Sequence, residues 1–209
     1  MKITFLSDTH GQHRNKKLQL LASKMIVHAG DFTSMGTLAQ VNDFLEWYSE
    51  LPHPHKVLIG GNHDFLLERN PQLFKSLLPN NITYLENESI EIEGIKIWGS
   101  PITPWFYDWA FNRHRGQDIR RYWEQIPDDV DILVTHGPPY GQGDKTSRGE
   151  LVGCEDLLEK VLQIKPKYHI FGHIHEAYSI SQNDATTFIN ASCLNLNYQM
   201  VHAPVCIDF

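Results

Sequence analysis

Five short apolar runs in this chain end on the same kind of side chain. "KITFLS" (2–7) leads into Asp8-Thr9-His10, "MIVHA" (25–29) into Gly30-Asp31, and "KVLIG" (56–60) into Gly61-Asn62-His63-Asp64. "DILVT" (131–135) leads into His136-Gly137, and "YHIF" (168–171) into Gly172-His173-Ile174-His175. Short, branched runs bounded by glycine predict β-strands. Between them lie stripes at helical spacing, Leu38, Val41, Phe44, Leu45 and Tyr48 in one, Leu157, Leu158, Val161, Leu162 and Ile164 in another. Strands interleaved with helices predict an α/β architecture, in which ligands gather beyond the carboxyl ends of the strands. Five strands are therefore expected to deliver metal-competent side chains to one sheet edge. Any one cluster reads better as an isolated polar loop; five with the same strand-then-donor order do not.

The rest of the pattern is compatible. "SIEIEGIKIWG" (89–99) alternates on both sides of Glu93-Gly94 and predicts a hairpin, and "TTFINAS" and "VCIDF" near the end predict two more strands. No repeat or linker interrupts the 209 residues, which are read as one domain, 1–209, long enough to bury a substantial core. A formal net charge of −7 argues against stable binding to duplex nucleic acid, although a metal-filled pocket can be locally positive inside an acidic protein. Cys154, Cys193 and Cys206 are odd in number and widely spaced, which predicts buried thiols rather than a disulfide framework. No apolar stretch approaches the roughly 20 residues that span a bilayer, and the apolar part of "MKITFLSDTHG" is too short for the core expected of a signal peptide. A reducing, cytoplasmic setting is expected.

The segment "FGHIHE" (171–176) poses the chemical question. If it is extended, His173 and His175 face one side about 6.5–7 Å apart, a spacing that suits one metal, one ligand on each of two metals, or none. The other clusters decide it. Asp8, His10, Asp31, Asn62, His136, His173 and His175 are seven oxygen and nitrogen donors, more than the usual four of a tetrahedral ion. Two ions fit better. Two divalent cations about 4 Å apart repel by roughly 16 kcal/mol at an effective dielectric near 20, so an anion must lie between them. Asp31, alone on its strand end, is the candidate bridge, with a shared hydroxide as the second. The two histidines then go one to each metal.

Asp8-x-His10, Gly30-Asp31, Gly61-Asn62-His63-Asp64, His136-Gly137 and Gly172-His173-x-His175, in that order, resemble the calcineurin-like metallophosphoesterases. The resemblance implies an α/β/β/α sandwich with mixed sheets and the metal site at the strand ends. It implies Asp8, His10, Asp31 and His175 on the first metal, and Asp31, Asn62, His136 and His173 on the second. It makes His63 the catalytic general acid that meets the leaving alkoxide, with Asp64 either orienting that imidazole or satisfying the turn backbone. The protein phosphatases of the superfamily carry Gly-Asp-x-x-Asp-Arg-Gly, whereas this chain has Gly30-Asp31-Phe32-Thr33-Ser34-Met35-Gly36 and lacks the phosphate-clamping arginine.

The stretches 99–112, 131–139, 152–158 and 189–192 resemble the small metallophosphoesterase-domain-containing (MPPED-type) branch. That likeness implies a dinuclear phosphodiesterase acting on nucleotides, cyclic ones included, or similar small esters by attack of the bridging hydroxide. The alternatives are a nucleotide-binding regulator with incidental hydrolysis and a phosphomonoesterase. The donor set accepts manganese, iron, zinc or nickel, with availability often deciding; manganese is the expected ion. Trp105, Phe106, Trp109 and Phe111 offer either core packing or a stacking face for a nucleobase. Arg113, His114, Arg115, Arg120 and Arg121 read as a solvated face, and His28 and His169, inside apolar runs, as core histidines.

Overall fold

Runs that are apolar at every position, rather than at alternate ones, are how strands covered on both faces read. In the computed structural model, which describes residues 1–209, the five runs form β1 (Lys2–Leu6), β2 (Met25–His28), β3 (His55–Leu58), β9 (Ile132–Thr135) and β10 (Tyr168–Phe171). The helical stripes form α1 (Leu38–Glu50) and α5 (Glu155–Ile164). The hairpin is β5 (Glu88–Ile92) and β6 (Ile95–Ser100), turned on Glu93 and Gly94, both at positive φ as a two-residue turn requires. The late strands are β12 (Thr187–Asn190) and β13 (Val205–Asp208). Shorter pieces that periodicity does not reveal complete the chain: α2 (Phe65–Arg69), α3 (Pro71–Leu77), β4 (Thr83–Tyr84), β7 (Thr103–Pro104), β8 (Asn112–Arg113), α4 (Gln117–Trp123) and β11 (Ser179–Gln182).

One sheet has the order β13-β1-β2-β3-β4, parallel except for β13, and the other β11-β12-β10-β9-β6-β5, parallel except at its two outer strands β11 and β5. Alternate residues of each strand sort into two layers. Ile3, Phe5, Met25, Val27 and Val57 of the first sheet meet Ile97, Ile132, Val134, Ile170 and Ile189 of the second in one apolar cluster. The residues between them point outward. Ile26 and Leu58 join Val41, Phe44 and Tyr48 of α1, while Trp98, Leu133 and Phe188 join Trp123 of α4 and Leu157 and Val161 of α5. The chain is thus an α/β/β/α sandwich with mixed sheets.

His28 and His169 lie in the outer layers, fully buried, each with Nε2 on a threonine hydroxyl, Thr9 at 3.0 Å and Thr135 at 2.9 Å. They are core histidines, as expected. The arginines of the 113–121 stretch are spent on structure: Arg113 bonds Glu68 and Tyr122, Arg115 the Val152 and Gly153 carbonyls, Arg120 Asp156 and Glu159, and Arg121 Asp118.

Candidate metal centre

The donor clusters do converge, though not on one sheet edge. Three of the five strands belong to one sheet and two to the other, and the two sheets meet at their carboxyl ends. Ser7, just past β1, makes a parallel bridge to Ser192, just past β12: Ser7 N donates to the Ala191 carbonyl and Cys193 N to the Ser7 carbonyl, both at 2.9 Å. Gly172 N donates to the His136 carbonyl at 3.0 Å. Periodicity identifies strands but not their neighbours, so the sequence could not show that the site straddles two sheets. Asp8, His10, Asp31 and His173 all adopt left-handed backbone, with φ of +53°, +42°, +54° and +68°. Such conformations cost of order 1–3 kcal/mol each and persist where the surroundings over-determine them.

His173 and His175 are not on an extended strand. His173 occupies the left-handed turn and His175 opens a 3-10 turn, His175–Ala177. They nevertheless part company. His175 Nε2 lies 3.2 Å from His10 Nε2 and 3.4 Å from Asp8 Oδ1, whereas the His173 ring packs on His136, centroids 5.1 Å apart. Asp8, His10 and His175 offer ligand atoms within 4.8 Å of one another, and so do Asp31, His136 and His173. Asp31 joins the groups. Its Oδ2 lies 3.3 Å from His136 Nε2, 3.7 Å from His10 Nε2 and 4.0 Å from His63 Nε2, and Asn62 Oδ1 lies 2.9 Å from His136 Nε2.

The supporting contacts orient these donors. His136 Nδ1 faces the Ala29 carbonyl at 2.9 Å and His175 Nδ1 the Asn195 carbonyl at 3.3 Å, so each imidazole turns Nε2 toward the carboxylates. Asp8 accepts from Ser192 Oγ at 2.7 Å and from His173 N at 3.0 Å. In the metal-free chain, burial pushes His10 down to about 4 and His173 to about 3, leaving both neutral with lone pairs free. Burial also opposes charge on His136 and Asp31, but their mutual attraction prevails and holds His136 up at about 9 and the Asp31 carboxyl well below its usual range. Two buried anions among imidazole nitrogens that crowd one another are a donor set suited to divalent cations, so the residues present fit the ions that seven donors imply.

His63 stands beside this cluster. Its backbone N–H donates to Asp31 Oδ1 at 2.8 Å and its Nδ1 sits 2.8 Å from the Ser34 carbonyl, which directs Nε2 toward Asp31 Oδ2. Asp64 does not orient this ring. Its carboxylate accepts from the Gly61 and Thr33 backbone N–H groups, each at 2.9 Å, and from Thr33 Oγ1 at 2.7 Å, so it holds the turn. The aromatic block divides. Phe106 and Trp109 line a cleft of about 240 Å³ together with Asp31, Asn62, His63, His173 and His175, Trp109 lying 4.2 Å from the His63 ring and Phe106 5.0 Å from that of His173. Phe111 is buried in the core and Trp105 stacks on His114. Sequence reading missed Ser34, Glu176, Leu196 and Tyr198. Ser34 acts through its carbonyl, which faces His63 Nδ1, and through its hydroxyl, which donates to the His10 carbonyl at 2.7 Å; no motif encodes either contact, and the other three are brought in by turns late in the chain.

Glycine at 172 is dictated by proximity. A Cβ there would overlap Asp8 Oδ2 and Ser7 Oγ. Gly172→Ala is expected to destabilise the fold by about 1–3 kcal/mol and to displace Asp8; urea denaturation of the metal-free protein reads the first effect and metal content the second.

The family described as Calcineurin-like phosphoesterase matches residues 1–177, most of the chain. This chain belongs to the calcineurin-like phosphoesterases. Metallophosphoesterase domain-containing protein 1 of Homo sapiens and that of Mus musculus are each 39% identical to it, across 97% of this chain and 69% of theirs. A UPF0046 protein of Caenorhabditis elegans is 35% identical across 100% and 80%. These likenesses support the MPPED-type branch. One solved crystal structure superposes with a TM-score of 0.66 over 90% of this chain and 89% of that one at 14% identity. GAP50, the anchor in the inner membrane complex of Plasmodium, superposes at 0.54 over 92% and 71% at 13%. At such identities they speak for the fold alone. As a calcineurin-like phosphoesterase the chain is a metal-dependent hydrolase of phosphoric esters, and none of its helices is long and apolar enough to cross a membrane.

Proposed function

We propose that this phosphoesterase is a phosphodiesterase of nucleotides, cyclic nucleotides among them, or similar small esters. In this reading Asp8, His10, Asp31 and His175 hold one divalent ion and Asp31, Asn62, His136 and His173 the other. The observation that carries it is the position of Asp31 Oδ2, within 4.0 Å of imidazole nitrogens from His10, His136 and His63. Bound there, two divalent ions supply positive charge for the phosphoryl oxygens and a water acidified toward neutral pH; manganese is the first to test, then iron, zinc and nickel. Asp31 ties the machinery together, one oxygen facing the donors and the other holding the His63 backbone. His63, its Nδ1 fixed by Ser34, turns Nε2 to the cleft and gives a proton to the departing alkoxide. Phe106 and Trp109 shield that side of the cleft from water. Residues 1–209 act as one unit in this scheme, because β1 and β13 from opposite ends of the chain pair directly. The free cysteines suit a reducing, cytoplasmic compartment.

The test is metal analysis of the purified protein, then turnover of cyclic nucleotides, open diesters and monoesters with added manganese. Diesters are expected to be the better substrates; monoesters alone turning over would replace the reading with a phosphomonoesterase, and tight binding with no turnover would replace it with a nucleotide-binding regulator. His63→Ala is expected to keep its metal and to lose about 10²–10⁴-fold in rate on an ester with a poor leaving group. Parental turnover of that ester by the metal-loaded variant would remove the acid role.

A further inference from the structure

The stretch that matches the wider family ends at residue 177, yet the cleft does not. Leu196 and Tyr198 line it from a turn closed by the Leu194–Met200 bridge. This turn is pinned internally, with Asn195 Oδ1 accepting from Asn197 N and Gln199 N, both at 3.0 Å. It is also clasped to the donor cluster from two sides. Gln12 Nε2, two residues after His10, donates to the Tyr198 carbonyl at 2.8 Å, and the Asn195 carbonyl faces His175 Nδ1. Tyr198 itself takes a left-handed φ of +54°, a conformation disfavoured for a bulky residue. Its ring packs edge-on against His10 at 5.0 Å and His175 at 5.4 Å, while Trp109 and Phe106 pack on His63 and His173. Aromatic rings therefore border both halves of the donor set. Leu196 and Tyr198 remain about half exposed, at 51% and 47%, so apolar surface stands in water at the mouth of a polar site. A flat apolar group on the phosphorus would cover it.

We infer that Tyr198, carried on the 194–200 turn, is a specificity-determining residue that recognises a flat heterocyclic group attached to the phosphate. The inference rests on the reading of the cleft as a phosphoester site, and it adds the residue and the segment that select the group carried by the phosphate. An alkyl phosphate offers this wall nothing to stack on, whereas a nucleoside phosphate does.

The test compares thymidine 5′-monophosphate with ethyl phosphate, two phosphate monoesters that differ in the base-bearing group. Calorimetric binding to the full-length, manganese-loaded parent, Tyr198→Ala and Tyr198→Phe gives the ratio of the two affinities for each protein, with metal content and thermal unfolding measured alongside. The parent is expected to prefer the nucleotide, Tyr198→Ala to lose about tenfold of that preference, and Tyr198→Phe to keep it. A parent with no preference, or a ratio unmoved in Tyr198→Ala, overturns the inference. If Tyr198→Ala fails to fold, the parent and the milder Tyr198→Leu decide by the same ratio. The outcomes are separable: a base preference that depends on Tyr198 without any hydrolysis sinks the phosphodiesterase reading and leaves this one standing, while hydrolysis without base preference does the reverse.

Discussion

Asp31→Asn is expected to reduce bound metal from two ions per chain to less than one and to lower kcat/KM by at least about 10³-fold. The carboxylate is 1% exposed and offers ligand atoms in common with His10 and His63 on one side and with His136 and His173 on the other, with three imidazole nitrogens within 4.0 Å of Oδ2. Asparagine preserves the shape and can still accept the His63 N–H that Oδ1 accepts now at 2.8 Å. What it removes is the charge. Changes to groups that merely orient ligands cost about 10–100-fold in metal affinity, and loss of an anion shared by two cations weakens both sites at once. Elemental analysis and kcat/KM on a diester read the two effects, with circular dichroism to establish that the variant is folded. An Asp31→Asn protein with two ions and parental activity would mean that the bridge lies elsewhere.

Acid is expected to destabilise the metal-free protein steeply, through histidines that play no part in the chemistry. Burial holds His28 and His169 down at about 3, against about 6.5 in an unfolded chain. Each has one ring nitrogen on a threonine hydroxyl and the other, Nδ1, buried with no partner, so a second proton has nowhere to bond. Between pH 6.5 and 3 the unfolded state therefore binds protons that the native state refuses, and stability falls as pH falls. The slope is about 1.4 kcal/mol per pH unit for each residue, so that by pH 4.5 each has cost roughly 2–3 kcal/mol, a large share of a typical 5–15 kcal/mol. Urea midpoints of the chelator-treated protein at pH 7.5, 5.5 and 4.5 measure the fall. His169→Gln, which keeps a donor for Thr135 but cannot be protonated in this range, should shed one residue's share of the slope. An identical slope in parent and variant would show that His169 takes up its proton without penalty.

The strand ends carrying these donors were legible because each is a local pattern. An apolar run that gives way to Asp, Asn or His with a glycine close by needs no knowledge of its neighbours, and Asp8, His10, Asp31, Asn62, His63, His136, His173 and His175 all announce themselves in that way. The same locality explains the gaps. Helices of five or seven residues such as α2 and α3 do not complete enough turns to show a period, and Asp64 looks like a partner for His63 in sequence although it spends its oxygens on the Gly61 and Thr33 backbone.

By itself the sequence determined the α/β class, the hairpin at Glu93-Gly94 and the run of Asp, Asn and His side chains at strand ends from which the proposed pair of cations is argued, since these follow from period and turn chemistry. Only the tertiary structure decided that the donors come from two sheets joined through Ser7 and Ser192, and that His173 and His175 reach different groups by leaving extended geometry. It alone brought Tyr198 to His10 across 188 residues of chain. The physical reason is that strand period and side-chain chemistry are properties of neighbours along the chain, while strand order, sheet pairing and the walls of a cleft arise from burial summed over the whole molecule.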